Sequence, residues 1–151
     1  FSFALPLLHT SENENKISEK QTSEMIPDLK GKIILIAENT EFNRLYLHKV
    51  LKTTGAELTV ANDGRTIYDE VMRREGNVDL ILMDLDLPLM SGKMAAEKIK
   101  GKYSGIYIIA QIVNESEKEI AAAQGSGCDG YLVKPIRKNK LFSVIREVLS
   151  T

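Results

Sequence analysis

One aspartate stands at the end of an apolar run. A carboxylate in that position could bind a metal, accept a phosphoryl group or act as an acid or base. Asp84 follows four consecutive apolar residues and precedes a loop that contains Pro88 and Gly92. This pattern is typical of a buried central strand that ends in a loop. Open α/β sheets build their sites at the carboxyl ends of such strands. Asp84 is therefore the first candidate site residue.

Polar residues follow two other apolar runs in the same way. Glu38 and Asn39 come after the first run, and Lys134 comes after the last. Acids grouped with one lysine suit Mg²⁺ and a phosphoryl group. A metal and Lys134 would neutralise the phosphoryl oxygens while Asp84 attacks in line. A flavin or nucleotide site would need a Gly- or Ser/Thr-rich phosphate loop, whereas residues 38–41 are acidic and contain no glycine.

The elements that must position these residues form five alternating units. Apolar runs cover residues 33–37, 58–61, a segment ending near 84, 106–110 and 131–133; helical patterns cover 42–51, 66–74, the segment after 92, 115–124 and 141–148. Alternating strands and helices imply a parallel sheet covered by helices, and five units are too few for an eight-stranded barrel. We predict an α/β fold with a doubly wound five-stranded parallel sheet, flavodoxin-like in order (2-1-3-4-5), with helices on both faces. In that order the first and third strands are neighbours, so Glu38 and Asn39 meet Asp84.

Composition limits the classes of partner. The chain has 151 residues, a net charge of -1 and a pI of about 6.2. No overall field therefore favours nucleic acid or an anionic membrane. The single cysteine, Cys128, rules out an internal disulfide framework and fits a reducing compartment. No apolar stretch reaches membrane-spanning length. We expect a soluble chain without direct nucleic-acid or membrane contact.

Two motifs resemble the receiver domain of bacterial response regulators, the CheY-like superfamily. They are residues 79–92 (DLILMDLDLPLMSG) and 127–135 (GCDGYLVKP), and the resemblance covers about residues 32–149. The resemblance implies that Asp84 is the phosphoacceptor and that Lys134 contacts the phosphoryl group. It also implies a role in two-component signal transduction, with a histidine kinase or a histidine phosphotransfer domain as partner.

The same resemblance assigns the remaining site residues. Tyr131 holds the position of an aromatic residue whose rotamer reports activation, and Asp86 holds the position whose backbone carbonyl binds Mg²⁺. Glu38 and Asn39 hold the positions of an acidic pair that binds the metal with Asp84. Whether the extra carboxylate of Asp86 replaces a missing charge or repels the phosphoryl group stays open.

Two positions depart from the family. Asn39 is an amide where a carboxylate should bind Mg²⁺ directly, and disturbing even an outer partner of a metal costs roughly 10–100-fold in affinity. Ile112 stands where a Thr or Ser hydrogen-bonds the phosphoryl group, a bond worth about 1.5–3 kcal/mol. We therefore expect weak Mg²⁺ binding. The alternative function is a degenerate receiver that acts mainly as a protein-interaction module, with weak phosphorylation.

The first residues have a resemblance of their own. Residues 1–8 look like the end of a histidine kinase ATP-binding domain, residues 9–30 read as a flexible polar linker, and residues 31–151 form the receiver. Asn43 and Arg44 look like those of hybrid kinase receivers. The expected parent is a hybrid sensor histidine kinase in a phosphorelay, with this domain cytoplasmic. The fragment is a phosphoacceptor rather than a kinase, and a dimer through the last helices is also expected.

Overall fold

Five strands alternate with five helices in the computed structural model, which describes residues 26–150. The elements are β1 (Ile33–Ala37), α1 (Glu41–Lys52), β2 (Glu57–Ala61), α2 (Gly64–Arg73), β3 (Leu80–Asp84), α3 (Gly92–Lys102), β4 (Tyr107–Ile112), α4 (Glu117–Gly125), β5 (Gly130–Val133) and α5 (Lys138–Leu149). The predicted alternation of strands and helices is confirmed. Residues 1–25 and 151 lie outside the described part, and so do the expected kinase segment 1–8 and most of the linker.

The strands form one parallel sheet in the order β2-β1-β3-β4-β5. This confirms the predicted fold class. β1 and β3 are hydrogen-bonded neighbours, with Ala37 opposite Met83. The carboxyl ends of β1, β3 and β4 therefore meet at one edge of the sheet, which we call the carboxyl edge.

The sheet is apolar because helices cover both of its faces. Every residue of β3 is buried, as are all but the first residues of β1 and β4. Leu47, Ile67, Ile99 and Phe142 each bury a side chain from a different helix. Strands buried on both sides have no polar face, which explains the uninterrupted apolar runs in the sequence.

Several element boundaries differ from the prediction by one to three residues, and two of these differences lie in β4 and in the helix after it. β4 ends at Ile112 rather than at residue 110, because the ladder continues through Asp84 opposite Gln111 and through Ile112 opposite Val133. α4 begins after Ser116, whose hydroxyl oxygen accepts from the Glu119 amide at 3.2 Å. Such a cap stabilises a helix start by about 1 kcal/mol.

The packed region begins before residue 31. Leu29 is buried, and its amide donates to the carbonyl of Thr54 at 2.8 Å. The end of the expected linker therefore belongs to the core of the domain.

Two aspartates close the opposite, amino edge of the sheet by the same device. The Asp79 amide donates to the Ile33 carbonyl at 2.9 Å, and Asp79 Oδ2 accepts from the Ile33 amide at 2.8 Å. The Asp129 amide donates to Ile108 O at 2.7 Å, and Asp129 Oδ2 accepts from the Ile108 amide at 2.9 Å. Each side chain thus replaces a ladder partner where a strand begins.

Among the described residues, no helix is long and apolar enough to cross a membrane.

Candidate functional site

Asp84 is the last residue of β3 and is buried at the carboxyl edge. Its two carboxylate oxygens have different partners. Oδ1 accepts from the Asp86 amide at 3.0 Å, and Oδ2 accepts from Lys134 Nζ at 2.9 Å. The backbone contact fixes one oxygen, while the ammonium of Lys134, the residue after β5, contacts the other.

Lys134 also reaches a second carboxylate. Glu38, which follows β1, is 0% exposed, and Lys134 Nζ lies 3.2 Å from its Oε1 and 3.3 Å from its Oε2. Only the contact with Oε2 has hydrogen-bond geometry. Burial lowers the pKa of Lys134, but the hydrogen bond and charge of Asp84, and then those of Glu38, outweigh it and raise the pKa. The structure therefore brings Asp84, Glu38 and Lys134 together as predicted.

The loop after β1 is held by α1. Arg44 Nη1 donates to the carbonyls of Glu38 and Asn39, each at 2.9 Å. The Thr40 amide donates to Glu38 Oε2 at 3.0 Å. These bonds orient Glu38 inward and leave the Asn39 side chain exposed at the mouth of the site.

The loop after β3 packs so tightly that it needs a glycine. A Cβ on Gly92 would lie 1.8 Å from the carbonyl oxygen of Asp84. The Gly92 amide donates to Leu85 O at 3.1 Å, which folds the loop back on the strand end. Leu89, at the tip, has a φ of 68° and is 85% exposed. The Asp86 side chain is exposed beside the site.

Ile112 and Tyr131, which the family resemblance assigns to the phosphoryl contact and to the report of activation, lie on β4 and β5. Ile112 is the buried last residue of β4, and its carbonyl accepts from the Lys134 amide at 2.9 Å. Tyr131 is buried, and its hydroxyl donates to Glu115 Oε2 at 3.0 Å. Burial, then the hydrogen bond to Glu115, raises the pKa of Tyr131 to about 12. The tyrosine is thus held inward, toward the loop after β4.

Sequence reasoning missed one polar residue of the site. Gln111 is buried in β4 directly opposite Asp84 in the strand register. Its Nε2 donates to the carbonyl of Ala37 at 3.4 Å. The signal was present in the sequence, because Gln111 is the only polar side chain between Ile108 and Val113.

The donor chemistry at the carboxyl edge fits a hard cation. Within residues 26–150, no three His, Cys, Asp or Glu side chains are grouped to hold a metal. Mg²⁺ needs only one or two carboxylates, because it keeps several of its waters. Asp84 and Glu38 supply carboxylates, Asn39 an amide oxygen and Asp86 a backbone carbonyl. Glu38 Oε1 is buried and receives no hydrogen bond from the described residues, since its contact with Lys134 Nζ at 3.2 Å is an ion pair only, so it is an acceptor that a hydrated cation can use.

The chain matches known proteins over most of this region. A family model described as the response regulator receiver domain matches residues 34–146. The chain is similar to the chemotaxis protein CheY of Halobacterium salinarum, with 30% identity over 121 residues, 80% of this chain and 98% of that protein. It is also similar to the peroxide stress-activated histidine kinase mak1 of Schizosaccharomyces pombe, with 31% identity over 80% of this chain but only 8% of the kinase.

Two solved structures give the same result. The receiver domain of the sensor histidine kinase PA1611 from Pseudomonas aeruginosa, described with magnesium in its active site cleft, is 26% identical. Its TM-score is 0.73, over 80% of this chain and 99% of that one. The receiver domain of Ssk1 from Saccharomyces cerevisiae, solved with the histidine phosphotransfer protein Ypd1, gives a 26% identical match. That TM-score is 0.68, over 82% of this chain and 88% of the matched chain.

Proposed function

Because the chain belongs to the response regulator receiver domain family, we propose that Asp84 accepts a phosphoryl group from a phosphohistidine. A carboxylate oxygen of Asp84 attacks phosphorus and forms an acyl phosphate. The P–N bond of the donor breaks, and its electron pair returns to the imidazole nitrogen. The observation that carries this proposal is the Lys134 ammonium 2.9 Å from Asp84 Oδ2, at the edge where β1 and β3 meet.

The chain's own residues prepare this step. The Asp86 amide fixes one oxygen of Asp84, so the carboxylate is oriented before the donor arrives. The Lys134 ammonium neutralises charge on the transferred group, an electrostatic role that is strong in a partly buried site. Glu38 holds the same ammonium from the other side. The three residues therefore act as one unit.

Mg²⁺ is the proposed cofactor. When bound, it neutralises phosphoryl oxygens, and Asp84, Glu38, Asn39 and the Asp86 carbonyl are the groups that would hold it. The magnesium in the P. aeruginosa PA1611 receiver supports this assignment. Because Asn39 contributes no charge, we propose that binding is weaker than in a site with a carboxylate at this position.

The proposed partner is a histidine phosphotransfer domain or a histidine kinase. The Ypd1–Ssk1 complex of S. cerevisiae supports this class of partner. Two apolar side chains of α1 beside the site are exposed to solvent, Phe42 at 75% and Leu45 at 64%. They are three residues apart and so lie on one face of the helix. We propose that this face docks against the phosphohistidine protein.

A docking test separates binding from chemistry. Phe42→Ser and Leu45→Ser should slow transfer from a phosphorylated histidine phosphotransfer protein. They should leave phosphorylation by acetyl phosphate unchanged, because the small donor needs no docking face. Ile26→Ser, at an exposed apolar residue outside the carboxyl edge, is the control. Equal transfer rates in all three variants and the original chain would exclude this docking face.

The phosphoacceptor is tested by incubating the chain with Mg²⁺ and acetyl phosphate and measuring its intact mass. We expect one phosphoryl adduct that Asp84→Ala abolishes and Asp86→Ala, at the neighbouring exposed carboxylate, keeps. The adduct should be labile to hydroxylamine, as an acyl phosphate is. An adduct that survives Asp84→Ala would disprove the assignment.

The second candidate function is the degenerate receiver, favoured by two observations. Ile112 buries an apolar side chain where the family has a hydroxyl, and Asn39 removes a charge. In this case the chain binds its partner through the docking face, but little of it becomes phosphorylated on Asp84. The absence of an Asp84-dependent adduct, even with a phosphorylated partner, would establish it.

The parent protein is also part of the proposal. The mak1 kinase matches this chain over only 8% of its own length, so we propose that residues 31–151 serve as the receiver of a hybrid sensor histidine kinase. Residues 1–8 would end its ATP-binding domain, and residues 9–30 would form the linker, except that Leu29 is buried in the receiver. A cytoplasmic location follows from that parent. A dimer through α4 and α5 stays a prediction. Light scattering would test for the dimer by measuring the molar mass in solution.

A further inference from the structure

Gln111 is an amide in a place that the fold fills with apolar side chains. It is 1% exposed, and its neighbours in β4, Ala110 and Ile112, are apolar and buried. It lies directly opposite Asp84 in the register of β3 and β4. Because paired residues of adjacent parallel strands project from the same face, Gln111 and Asp84 share one face of the sheet.

The Gln111 side chain crosses β3. Its Nε2 donates to the carbonyl of Ala37 on β1 at 3.4 Å, and β3 separates β4 from β1 in the sheet. Glu38 is the residue after Ala37. The Gln111 amide group therefore lies between the backbone of Glu38 and the end of β3, which carries Asp84. It forms part of the floor of the candidate cation site.

In the part of the chain that the structure describes, two buried oxygens beside the site, Gln111 Oε1 and Glu38 Oε1, receive no hydrogen bond, although Lys134 Nζ makes an ion-pair contact with Glu38 Oε1 at 3.2 Å. A buried polar atom without a partner is unfavourable, and native proteins satisfy nearly all of them. The hydrogen bond between β4 and β1 uses only Nε2 of this amide and gives its oxygen no partner. Of the two, only Gln111 Oε1 has neither a hydrogen bond nor an ion-pair contact among the described residues, so it is the acceptor that a donor entering the site would satisfy.

A hydrated divalent cation supplies such donors. Mg²⁺ keeps several waters when it binds to protein, and each water can donate hydrogen bonds to surrounding acceptors. Loss of a residue that orients the partners of a metal in this way typically costs roughly 10–100-fold in metal affinity or activity. The floor of this site offers such an acceptor in Gln111 Oε1.

We propose that Gln111 is a positioning residue for the cation, whose amide oxygen accepts a hydrogen bond from a water of bound Mg²⁺. This inference rests on the proposed magnesium site. Gln111 thereby recovers part of the Mg²⁺ affinity that is lost at Asn39. Its acceptor comes from β4, a strand that supplies no direct ligand to the cation.

The test measures Mg²⁺ affinity by titration calorimetry and thermal stability with and without Mg²⁺. Gln111→Met removes the amide at similar volume. We expect its Mg²⁺ dissociation constant to rise roughly 10–100-fold. Its Tm without metal should stay equal or rise, because an unsatisfied buried amide has been removed. Gln124→Met, at an exposed glutamine of α4, should match the original chain in both measurements.

A purely structural amide gives the opposite pattern. Gln111→Met would then lower the Tm without metal and leave the dissociation constant unchanged, which would overturn the inference while the magnesium site stands. If the original chain itself binds no Mg²⁺, the proposed metal site fails and the inference fails with it.

A second variant covers the case in which Gln111→Met does not fold. Gln111→Glu keeps the shape and an acceptor oxygen and adds a charge that the cation favours. We expect it to bind Mg²⁺ at least as tightly as the original chain, with a larger Mg²⁺-induced rise in Tm. Binding weaker than in the original chain would overturn the proposal.

Discussion

At the scale of single residues, the chemistry of the site depends on charge. Glu38 and Asp84 supply its carboxylates, and Lys134 places one cation between them. Asn39 lies at the mouth of the site without a charge of its own. The affinity for a divalent cation is therefore sensitive to a change of one or two atoms in a single side chain.

Asn39→Asp should tighten Mg²⁺ binding by about 10–100-fold, because it restores a charged oxygen ligand. Titration calorimetry measures the change. Asn77→Asp adds the same charge at an exposed residue before β3, at the other edge of the sheet, and should change the affinity little. If both variants tighten binding equally, the gain comes from net charge and the ligand role of Asn39 is wrong.

Ile112→Thr should raise the yield of the Asp84 acyl phosphate. A hydroxyl that hydrogen-bonds a charged phosphoryl group contributes about 1.5–3 kcal/mol, or roughly 10–100-fold in the equilibrium. Ile112→Val has the shape of threonine without the hydroxyl, so it controls for lost volume in the core. Equal yields for the Thr and Val variants would mean that residue 112 does not reach the phosphoryl group.

Glu115→Gln should lower the pKa of Tyr131 from about 12. The variant keeps an acceptor for the Tyr131 hydroxyl and removes the charge that disfavours tyrosinate. Burial is the largest cause of the raised pKa, so the value should stay above the ordinary one of about 10. Ultraviolet difference titration measures it, with Tyr131→Phe to identify the signal. An unchanged titration would show that the two side chains do not pair in solution.

At the scale of elements, the site depends on where each helix begins. α3 starts at Gly92 immediately beside the Asp84 carbonyl, and Ser91 caps it by accepting from the Met94 amide at 3.1 Å. α1 fastens the loop after β1 through Arg44. Helix starts at the carboxyl edge thus hold both loops that carry the candidate ligands.

Gly92→Ala should destabilise the domain and weaken Mg²⁺ binding together. The added methyl group meets backbone rather than a flexible side chain, and such overpacking costs about 1–3 kcal/mol. Gly101→Ala in the same helix meets no atom within 4 Å and should stabilise the chain by up to about 1 kcal/mol. Urea unfolding measures both free energies. If Gly92→Ala left the free energy of unfolding unchanged, the loop after β3 would be free to move.

At the scale of the whole molecule, stability depends on pH through groups whose pKa is raised by folding, among them Cys128, Tyr131 and Lys134. Burial raises the pKa of Cys128 to about 11 and is the largest cause of the value of about 12 for Tyr131. The contacts with Asp84 and Glu38 raise the pKa of Lys134 despite burial. A group with a raised pKa stabilises the fold at lower pH, and this stabilisation is lost as the pH rises through the folded-state value.

The Tm should therefore fall as the pH rises from about 9 to about 12, the range between the ordinary and the folded-state pKa values. Cys128→Ala should flatten the first part of this fall, up to about pH 11, because the buried thiol no longer titrates. Calorimetric scans across this range test the prediction. Parallel curves for the two proteins would exclude the thiol as a contributor.

The fold was predictable from the sequence because its strands are buried on both faces and therefore read as unbroken apolar runs. The meeting of Glu38, Asp84 and Lys134 followed from strand order. Gln111 was missed because its role depends on reaching across β3, a contact between residues far apart in sequence. The end of β4 was placed too early for the same reason, since pairing with β5 extends it.

The ammonium of Lys134 has a consequence for the protein in the absence of any dissolved metal. It is a cation attached to the chain, so dilution or a chelator cannot remove it from the two buried carboxylates. Partly buried pairs are also less screened by salt than exposed ones. The domain thus carries its own counterion at this site, and this pairing does not depend on the ions dissolved around it. A change in the supply of divalent cation therefore leaves a positive charge in place beside Asp84.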